Sequence, residues 1–158
     1  MYKRALVTLD GSALAEAILP FITEIAGPLD MEVVLLRVVV PIPPQIIEGS
    51  RHAVLEDVEE RLAEARRYLA SVPSELTARG VRTRQVVRRG DPVDEIVAAT
   101  RDVDADLIAM TTHGRSGLGR LLFGSVAEAV LRQAETPVFL MRLTKSSVRP
   151  LVTGKAVR

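Results

Sequence analysis

Five short aliphatic runs constrain the fold most. They occupy residues 3–9, 32–39, 81–87, 106–111 and 138–143. Each of the first four is followed by a segment with helical periodicity or by the loop that leads into one. The run over 32–39 is almost continuously apolar, which is typical of a strand covered by helices on both faces. Regular alternation of strands and helices predicts a parallel sheet with right-handed crossovers. We therefore expect an α/β fold with three layers and a single domain.

The first two predicted helices have clear apolar stripes. The first follows the turn at Asp10-Gly11-Ser12, with Ser12 as a plausible N-cap, and ends at Gly27-Pro28. Its apolar residues recur at helical spacing at Leu14, Ile18, Phe21 and Ile25. The second helix starts near Ser50, and we expect Pro73 to end or kink it. Its buried stripe is predicted at Leu55, Val58, Leu62, Ala65 and Leu69.

The loop after the fourth predicted strand is rich in glycine and arginine. Gly114, Gly117 and Gly119 precede Gly124-Ser125, where a helix is predicted to begin, and Arg115 and Arg120 add positive charge. Glycines let backbone N–H groups approach an anion, and a helix N-terminus favours negative charge. Two plainer explanations stay open. The glycines would only shape a long turn, or Ser125 and Glu128 would form a capping box, which is compatible with anion binding.

A second candidate position lies where the first strand ends, at Thr8-Leu9-Asp10. Ligands of open parallel sheets bind outside the carboxyl ends of the strands, at the point where strand order reverses. Asp10 would face such a ligand, or it would serve only as a turn former. The third helix has its own signal at Asp91-Pro92, an N-cap followed by proline at the first helical position.

Composition and motif searches exclude several classes of function. The chain has no cysteine and two histidines, so thiolate zinc sites and disulfides are excluded and a nucleophilic triad is improbable. It lacks a Walker A motif, a GxGxxG after the first strand, a GxSxG elbow and an HExxH pair. A net charge of +1 gives no general case for nucleic acid. We find no signal peptide and no span for a membrane, so we expect a cytoplasmic protein.

With these motifs in hand, the chain resembles the universal stress protein family over residues 2–143. The likeness rests on Val7-Thr-Leu-Asp-Gly-Ser12, Leu35-Leu-Arg-Val38, Gly90-Asp-Pro-Val-Asp-Glu-Ile96 and the phosphate loop. ATP-binding members of that family carry Gly, two residues, Gly, nine residues, then Gly-Ser or Gly-Thr. Here Gly114 and Gly124-Ser125 match the second half, and Thr111 occupies the first glycine position.

The resemblance implies a Rossmann-like or flavodoxin-like sandwich with strand order 3-2-1-4-5. Residues 1–143 would form the family's domain, and 144–158 a basic C-terminal tail. The implied ligand is ATP with Mg²⁺ or Mn²⁺, and the implied assembly is a homodimer that pairs strand Val138–Leu143 across a two-fold axis. Neither nucleic acid nor a membrane is an expected partner.

The resemblance also assigns roles to residues. Asp10 would sit on the ribose or adenine side, and the backbone of Val38 would meet the adenine edge. Met110, Thr111 and Gly114 would line the sugar and phosphates, and Gly124, Ser125 and Val126 would hold the β- and γ-phosphates. The full predicted nucleotide-binding set is Thr8, Leu9, Asp10, Val38, Met110, Thr111, Gly114, Arg115, Gly117, Gly124, Ser125 and Val126. No catalytic residue and no protein metal ligand is predicted.

Two functions follow. The first is a small ATP-binding stress-response regulator with little or no hydrolysis, since no general base is evident. The second is a family member that binds no nucleotide and acts as a dimeric interaction protein. Thr111 favours the second function, because a β-branched residue is unfavourable wherever the backbone needs a positive φ. The intact spacing from Gly114 to Ser125 favours the first.

Overall fold

The computed structural model describes residues 1–41, 51–113 and 124–143. Its strands and helices alternate along the chain, and all strand pairs are parallel. The sheet has five strands in the order β3-β2-β1-β4-β5, which confirms the predicted α/β sandwich and strand order. The elements are β1 Arg4–Thr8, α1 Ala13–Glu16, α2 Leu19–Ala26, β2 Glu32–Val39, α3 Arg51–Ser71, α4 Pro73–Ala78, β3 Arg82–Arg89, α5 Pro92–Asp102, β4 Leu107–His113, α6 Ser125–Gln133 and β5 Val138–Leu143.

The central strand β1 contributes to a hydrophobic core on each face of the sheet. Leu6 pairs in register with Val34 of β2 and Ile108 of β4, and these side chains pack against residues of α5 and α6. Its neighbours Ala5 and Val7 face the opposite core, which also contains residues of α1, α2, α3 and α4. Burial on both faces explains why β2 reads as a nearly continuous apolar run.

The predicted first helix is two helices, so the single-helix prediction was wrong. Pro20 has no N–H to donate to the carbonyl of Glu16, where α1 ends, and α2 begins at Leu19 with this proline in its first turn. Ala15, Ile18, Ile22 and Ala26 form the buried face. Leu14 and Phe21, expected in the apolar stripe, are 40% and 49% exposed.

The long helix α3 matches its predicted stripe only in part. Val58, Ala65 and Leu69 are buried, whereas Leu55 is 54% exposed. The exposed Leu55 lies near the start of this 21-residue helix, whereas the buried Ala65 and Leu69 lie near its end. Pro73 ends this helix and begins α4, as predicted.

Two strands run further than their hydrophobic patterns predicted. β3 continues through Arg88 and Arg89, which pair with Val38 and Val39 of β2, and β4 continues to His113. Backbone pairing with a neighbouring strand extends these ends past the apolar residues. In the part of the chain that the structure describes, no helix combines the length and the apolar character that a membrane span requires.

Candidate functional site

A cleft of about 370 Å³ opens at the carboxyl ends of β1, β2 and β4. β2 and β4 lie on the two sides of β1, so the strand order reverses at β1, where the cleft lies. Ligands of open parallel sheets usually bind at such a point. The size of the cleft falls within the range of small-molecule sites. The lining residues are Thr8, Leu9, Asp10, Ala15, Leu36, Val38, Val40, Pro92, Ile96, Met110, Thr111, Thr112, Gly124, Ser125, Val126 and Ala127.

Nine of the twelve residues predicted to bind a nucleotide line this one cleft. They come from four separate parts of the chain: Thr8, Leu9 and Asp10; Val38; Met110 and Thr111; and Gly124, Ser125 and Val126. The other three, Gly114, Arg115 and Gly117, lie outside the described residues. The structure thus places the predicted positions together, and their roles toward a ligand remain predictions.

The helix α6 begins at the cleft with no side-chain cap. Its N-cap residue is Gly124, and the first intrahelical bond runs from the N–H of Glu128 to the carbonyl of Gly124, 2.9 Å away. The N–H groups of Ser125, Val126 and Ala127 therefore have no partner within the helix. The predicted capping box is wrong, because Ser125 is the first helical residue and stands one position too late to cap.

Thr112 fixes the start of α6 and was missed from the sequence. Its hydroxyl accepts a hydrogen bond from the N–H of Gly124 at 3.0 Å, and the residue is 2% exposed. This bond ties the end of β4 to the helix N-terminus across twelve residues. Because the N–H of Gly124 already donates to Thr112, the three N–H groups that follow it are the ones without a partner within the helix. The only sequence signal for Thr112 is its place beside Thr111 near the end of the strand.

Thr111 has an ordinary extended backbone in β4, where it pairs in register with Met141. Among the described residues other than glycine, only Asp30 and Asp104 have a positive φ. A glycine is therefore not required at position 111 by backbone conformation. The side chain of Thr111 is partly buried and lines the cleft.

The turn after β1 holds Asp10 at the cleft. One carboxylate oxygen, Oδ1, accepts from the N–H of Ser12 at 2.8 Å and from its hydroxyl at 2.6 Å. The Ser12 hydroxyl oxygen in turn accepts from the N–H of Ala15 at 3.1 Å, which confirms Ser12 as the N-cap of α1. Asp10 thus forms the turn and also lines the cleft, so its two predicted roles are compatible.

An apolar wall on the β2 side completes the cleft. Leu36, Val38 and Val40 come from β2 and its end, and Pro92 and Ile96 come from the first turns of α5. Apart from Val38, sequence reasoning did not place these residues at the site. The first turn of α5 is far from β2 in sequence, and only its packing against that strand brings the two together.

Comparison with known proteins identifies the family. The model of the universal stress protein family matches residues 1–142. The chain belongs to the universal stress protein family. Universal stress protein MJ0531 of Methanocaldococcus jannaschii is 33% identical over 148 residues, which cover 92% of this chain and 85% of that one. MJ0577 from the same organism is similar in structure, with a TM-score of 0.77 and 28% identity over 91% of this chain and 98% of that one.

More distant universal stress proteins share the fold and were solved with nucleotides. One, at 24% identity and a TM-score of 0.67, is a complex with cAMP. Another, from Archaeoglobus fulgidus, is a complex with dAMP at 23% identity and a TM-score of 0.59. These two likenesses establish the fold of the present chain.

Proposed function

We propose that this universal stress protein is a small regulatory protein of the stress response that binds ATP in the cleft. The observation that carries the proposal is the uncapped N-terminus of α6, which lines a cleft of ligand size together with Asp10. Residues 1–143 would form the nucleotide-binding domain, and residues 144–158 a basic tail.

The phosphates would lie against the first turn of α6. The N–H groups of Ser125, Val126 and Ala127 have no partner within the helix, and the helix dipole adds partial positive charge at the same place. Gly114, Arg115 and Gly117 would complete the phosphate site from the preceding loop. This arrangement needs no positively charged side chain from the described lining.

The nucleoside would lie on the β1 and β2 side of the cleft. Leu36, Val38, Val40, Pro92 and Ile96 offer apolar surface for a base, and the backbone of Val38 would meet the adenine edge. The Asp10 carboxylate would accept hydrogen bonds from the donor groups of the nucleoside. The complexes of distant family members with cAMP and dAMP agree with an adenine nucleotide as the ligand class.

A divalent ion, Mg²⁺ or Mn²⁺, would enter with the nucleotide. The described residues contain no group of three or more carboxylates, histidines or cysteines placed to hold a metal. Mg²⁺ commonly keeps several waters and binds through substrate phosphates, so the phosphate oxygens would supply the main ligands. The chain's own contribution would be to orient those phosphates.

Hydrolysis of the bound ATP would be slow or absent. Asp10 is the single titratable side chain among the described residues that line the cleft, and it is engaged by Ser12 in the turn after β1. The α6 end, where the phosphates would lie, has no described carboxylate or imidazole in the lining to activate a water. The nucleotide would therefore act as a regulatory ligand.

The second partner would be another copy of the chain. β5 is an edge strand, and its residues Val138–Met141 are apolar without alternation. An apolar edge with unpaired backbone groups favours pairing with another strand. We propose a homodimer through Val138–Leu143. Sedimentation at micromolar concentration is expected to give a dimer, and a monomer would contradict this part of the proposal.

Calorimetric titration of the nucleotide-stripped protein with Mg-ATP, with Mg-GTP as control, tests the proposed function. We expect saturable binding near one nucleotide per chain that is selective for adenine. Absence of binding at millimolar ATP would contradict it and would favour the alternative function, a dimeric interaction protein without a nucleotide.

A further inference from the structure

Arg37 lies on β2 next to the cleft, but its side chain is on the opposite face of the strand. Its neighbours Leu36 and Val38 line the cleft, and successive side chains of a strand alternate between faces. The Arg37 side chain is 17% exposed and lies instead against α3 and the turn after β1. Any effect of Arg37 on a ligand must therefore be indirect.

The guanidinium of Arg37 lies beside Gly11, the middle residue of that turn. A Cβ atom built on Gly11 would lie 3.1 Å from Nη1, 3.3 Å from Cζ and 3.4 Å from Nη2. The guanidinium group therefore fills the space into which a side chain at position 11 would extend. Gly11 also has a φ of +90°, so both conformation and space favour glycine here.

Two residues of α3 lie against the guanidinium, and one residue of α1 bonds to one of these two. The Cζ atom of Arg37 lies 4.9 Å from the centroid of the Tyr68 ring, and Nη2 lies 3.5 Å from Oε1 of Glu64. The Tyr68 hydroxyl donates to Oε1 of Glu16 at 2.8 Å. Burial raises the pKa of Tyr68 well above its usual range, and the bond to Glu16 adds to the shift, so the hydroxyl remains a donor.

We propose that Arg37 is a positioning residue that holds the turn Asp10–Ser12 so that Asp10 faces the nucleotide. This inference rests on the proposed function. The guanidinium lies beside Gly11 and over the ring of Tyr68 while Nη2 faces Glu64, and the compact ammonium of lysine does not reproduce this set of contacts. Arg37 acts through Asp10 and makes no contact with the ligand itself.

A double-mutant cycle on Mg-ATP affinity tests the proposal. Arg37→Met keeps an apolar stem and removes the planar guanidinium. Its effect on Mg-ATP affinity is measured in the wild-type and Asp10→Asn backgrounds. We expect Arg37→Met to lower Mg-ATP affinity about tenfold in the wild-type background and less than about twofold in the Asp10→Asn background. The reason is that the effects of substitutions at residues that act together are not additive. Equal losses in both backgrounds would show that Arg37 acts by general stability or by its charge, and would overturn the inference.

Three further measurements keep the test decisive. Arg37→Lys retains the charge and is expected to behave like Arg37→Met, whereas wild-type affinity in Arg37→Lys would overturn the role of the plane. Arg82→Met removes an exposed arginine on β3 that pairs with Asp30 at the opposite end of the sheet, and is expected to leave affinity unchanged. In the free protein, amide exchange at Gly11 and Ser12 is expected to rise in Arg37→Met while exchange in β1 stays constant.

The two proposals fail in different ways. A wild-type chain that binds no nucleotide would overturn the proposed function, and this inference with it. A wild-type chain that binds Mg-ATP, with additive losses in the cycle, would overturn the role of Arg37 alone.

Discussion

The helices α5 and α6 both begin at the rim of the same cleft, but their first turns are built differently. In α5 the N-cap Asp91 accepts from the N–H groups of Val93 and Asp94 at 2.9 and 3.2 Å, and Pro92 has no N–H. In α6 the N-cap Gly124 has no side chain, and among the described residues no side chain caps the turn. The first turn of α5 has used its donors, whereas the N–H groups of Ser125, Val126 and Ala127 have no partner within α6.

Charge separates the two termini further. Asp94 and Glu95 add negative charge to the first turn of α5, beyond that of Asp91. The first turn of α6 has one acidic residue, Glu128, which pairs with Arg132 at 2.5 Å. Two helix ends at the same edge of a sheet thus differ in their suitability for an anion, because the cap residue decides which donors remain.

Giving the N-terminus of α6 an acidic N-cap like that of α5 should have the largest effect on Mg-ATP affinity. Gly124→Asp places a carboxylate at the N-cap, where the nearest described atom to a Cβ would be the Thr112 hydroxyl oxygen, 3.9 Å away. We expect Mg-ATP affinity to fall at least about thirtyfold, equivalent to about 2 kcal/mol, because the new charge repels phosphate and occupies the N–H groups. Calorimetry measures the affinity, and thermal unfolding should show no loss of stability. Gly124→Asn is the matched neutral cap, and an affinity for Gly124→Asp equal to wild type would contradict the comparison.

Removing the hydrogen bond between the Gly124 N–H and the Thr112 hydroxyl should have the next largest effect. Thr112→Val keeps the shape of the side chain but leaves the N–H of Gly124 without its partner. We expect a loss of about 1–3 kcal/mol in the free energy of unfolding, measured by urea denaturation. Affinity for Mg-ATP should fall as the helix start loosens. Thr112→Ser retains the hydroxyl and serves as the control, and a Thr112→Val protein as stable as Thr112→Ser would show that the bond to Gly124 is not important.

Removing the N-cap of α5 should lower the stability of the protein and leave its Mg-ATP affinity nearly unchanged. In Asp91→Ala the N–H groups of Val93 and Asp94 lose their acceptor. We expect about 1 kcal/mol less stability in urea denaturation, and Mg-ATP affinity within about twofold of wild type, because α5 is proposed to hold no phosphate. A large change in affinity would indicate that the phosphates reach the first turn of α5.

Restoring the family's glycine should have the smallest effect on binding. Thr111 occupies an ordinary strand conformation, so Thr111→Gly relieves no backbone strain. We expect Mg-ATP affinity to change by less than about threefold, while stability falls by about 0.5–1 kcal/mol, since glycine is unfavourable within a strand. Calorimetry and urea denaturation measure the two quantities. A gain of tenfold or more would mean that the threonine side chain obstructs the ligand.

Much of this molecule follows from local sequence patterns. The five strands, the N-caps Ser12 and Asp91 and the break at Pro73 are confirmed at or near the predicted positions. The strand order is confirmed as well, and it explains how residues around Asp10, Val38 and Gly124 meet at one cleft. Periodicity and capping signals are properties of neighbouring residues, so they can be read without the fold.

The errors have two physical causes, a proline whose missing N–H overrides apolar periodicity and contacts between distant segments of the chain. Pro20 interrupts a helix that its apolar spacing made continuous, and the buried face then shifts away from Phe21. Ser125 matches a capping box, yet Gly124 occupies the N-cap position, and its N–H donates to Thr112 of another element. Long-range contacts of this kind, like that of Arg37 with Gly11, leave no periodic trace in the sequence.

The difference between the backbone amide chemical shifts induced by Mg-ATP and those induced by adenosine tests the central claim most directly, because it isolates the effect of the phosphates at both helix termini. The account predicts large, saturable differences at Ser125, Val126 and Ala127, and small ones at Val93 and Asp94, whose N–H groups already bond to Asp91. Saturation of the protein with nucleotide without such differences at residues 125–127, or with equal differences at the start of α5, would contradict it.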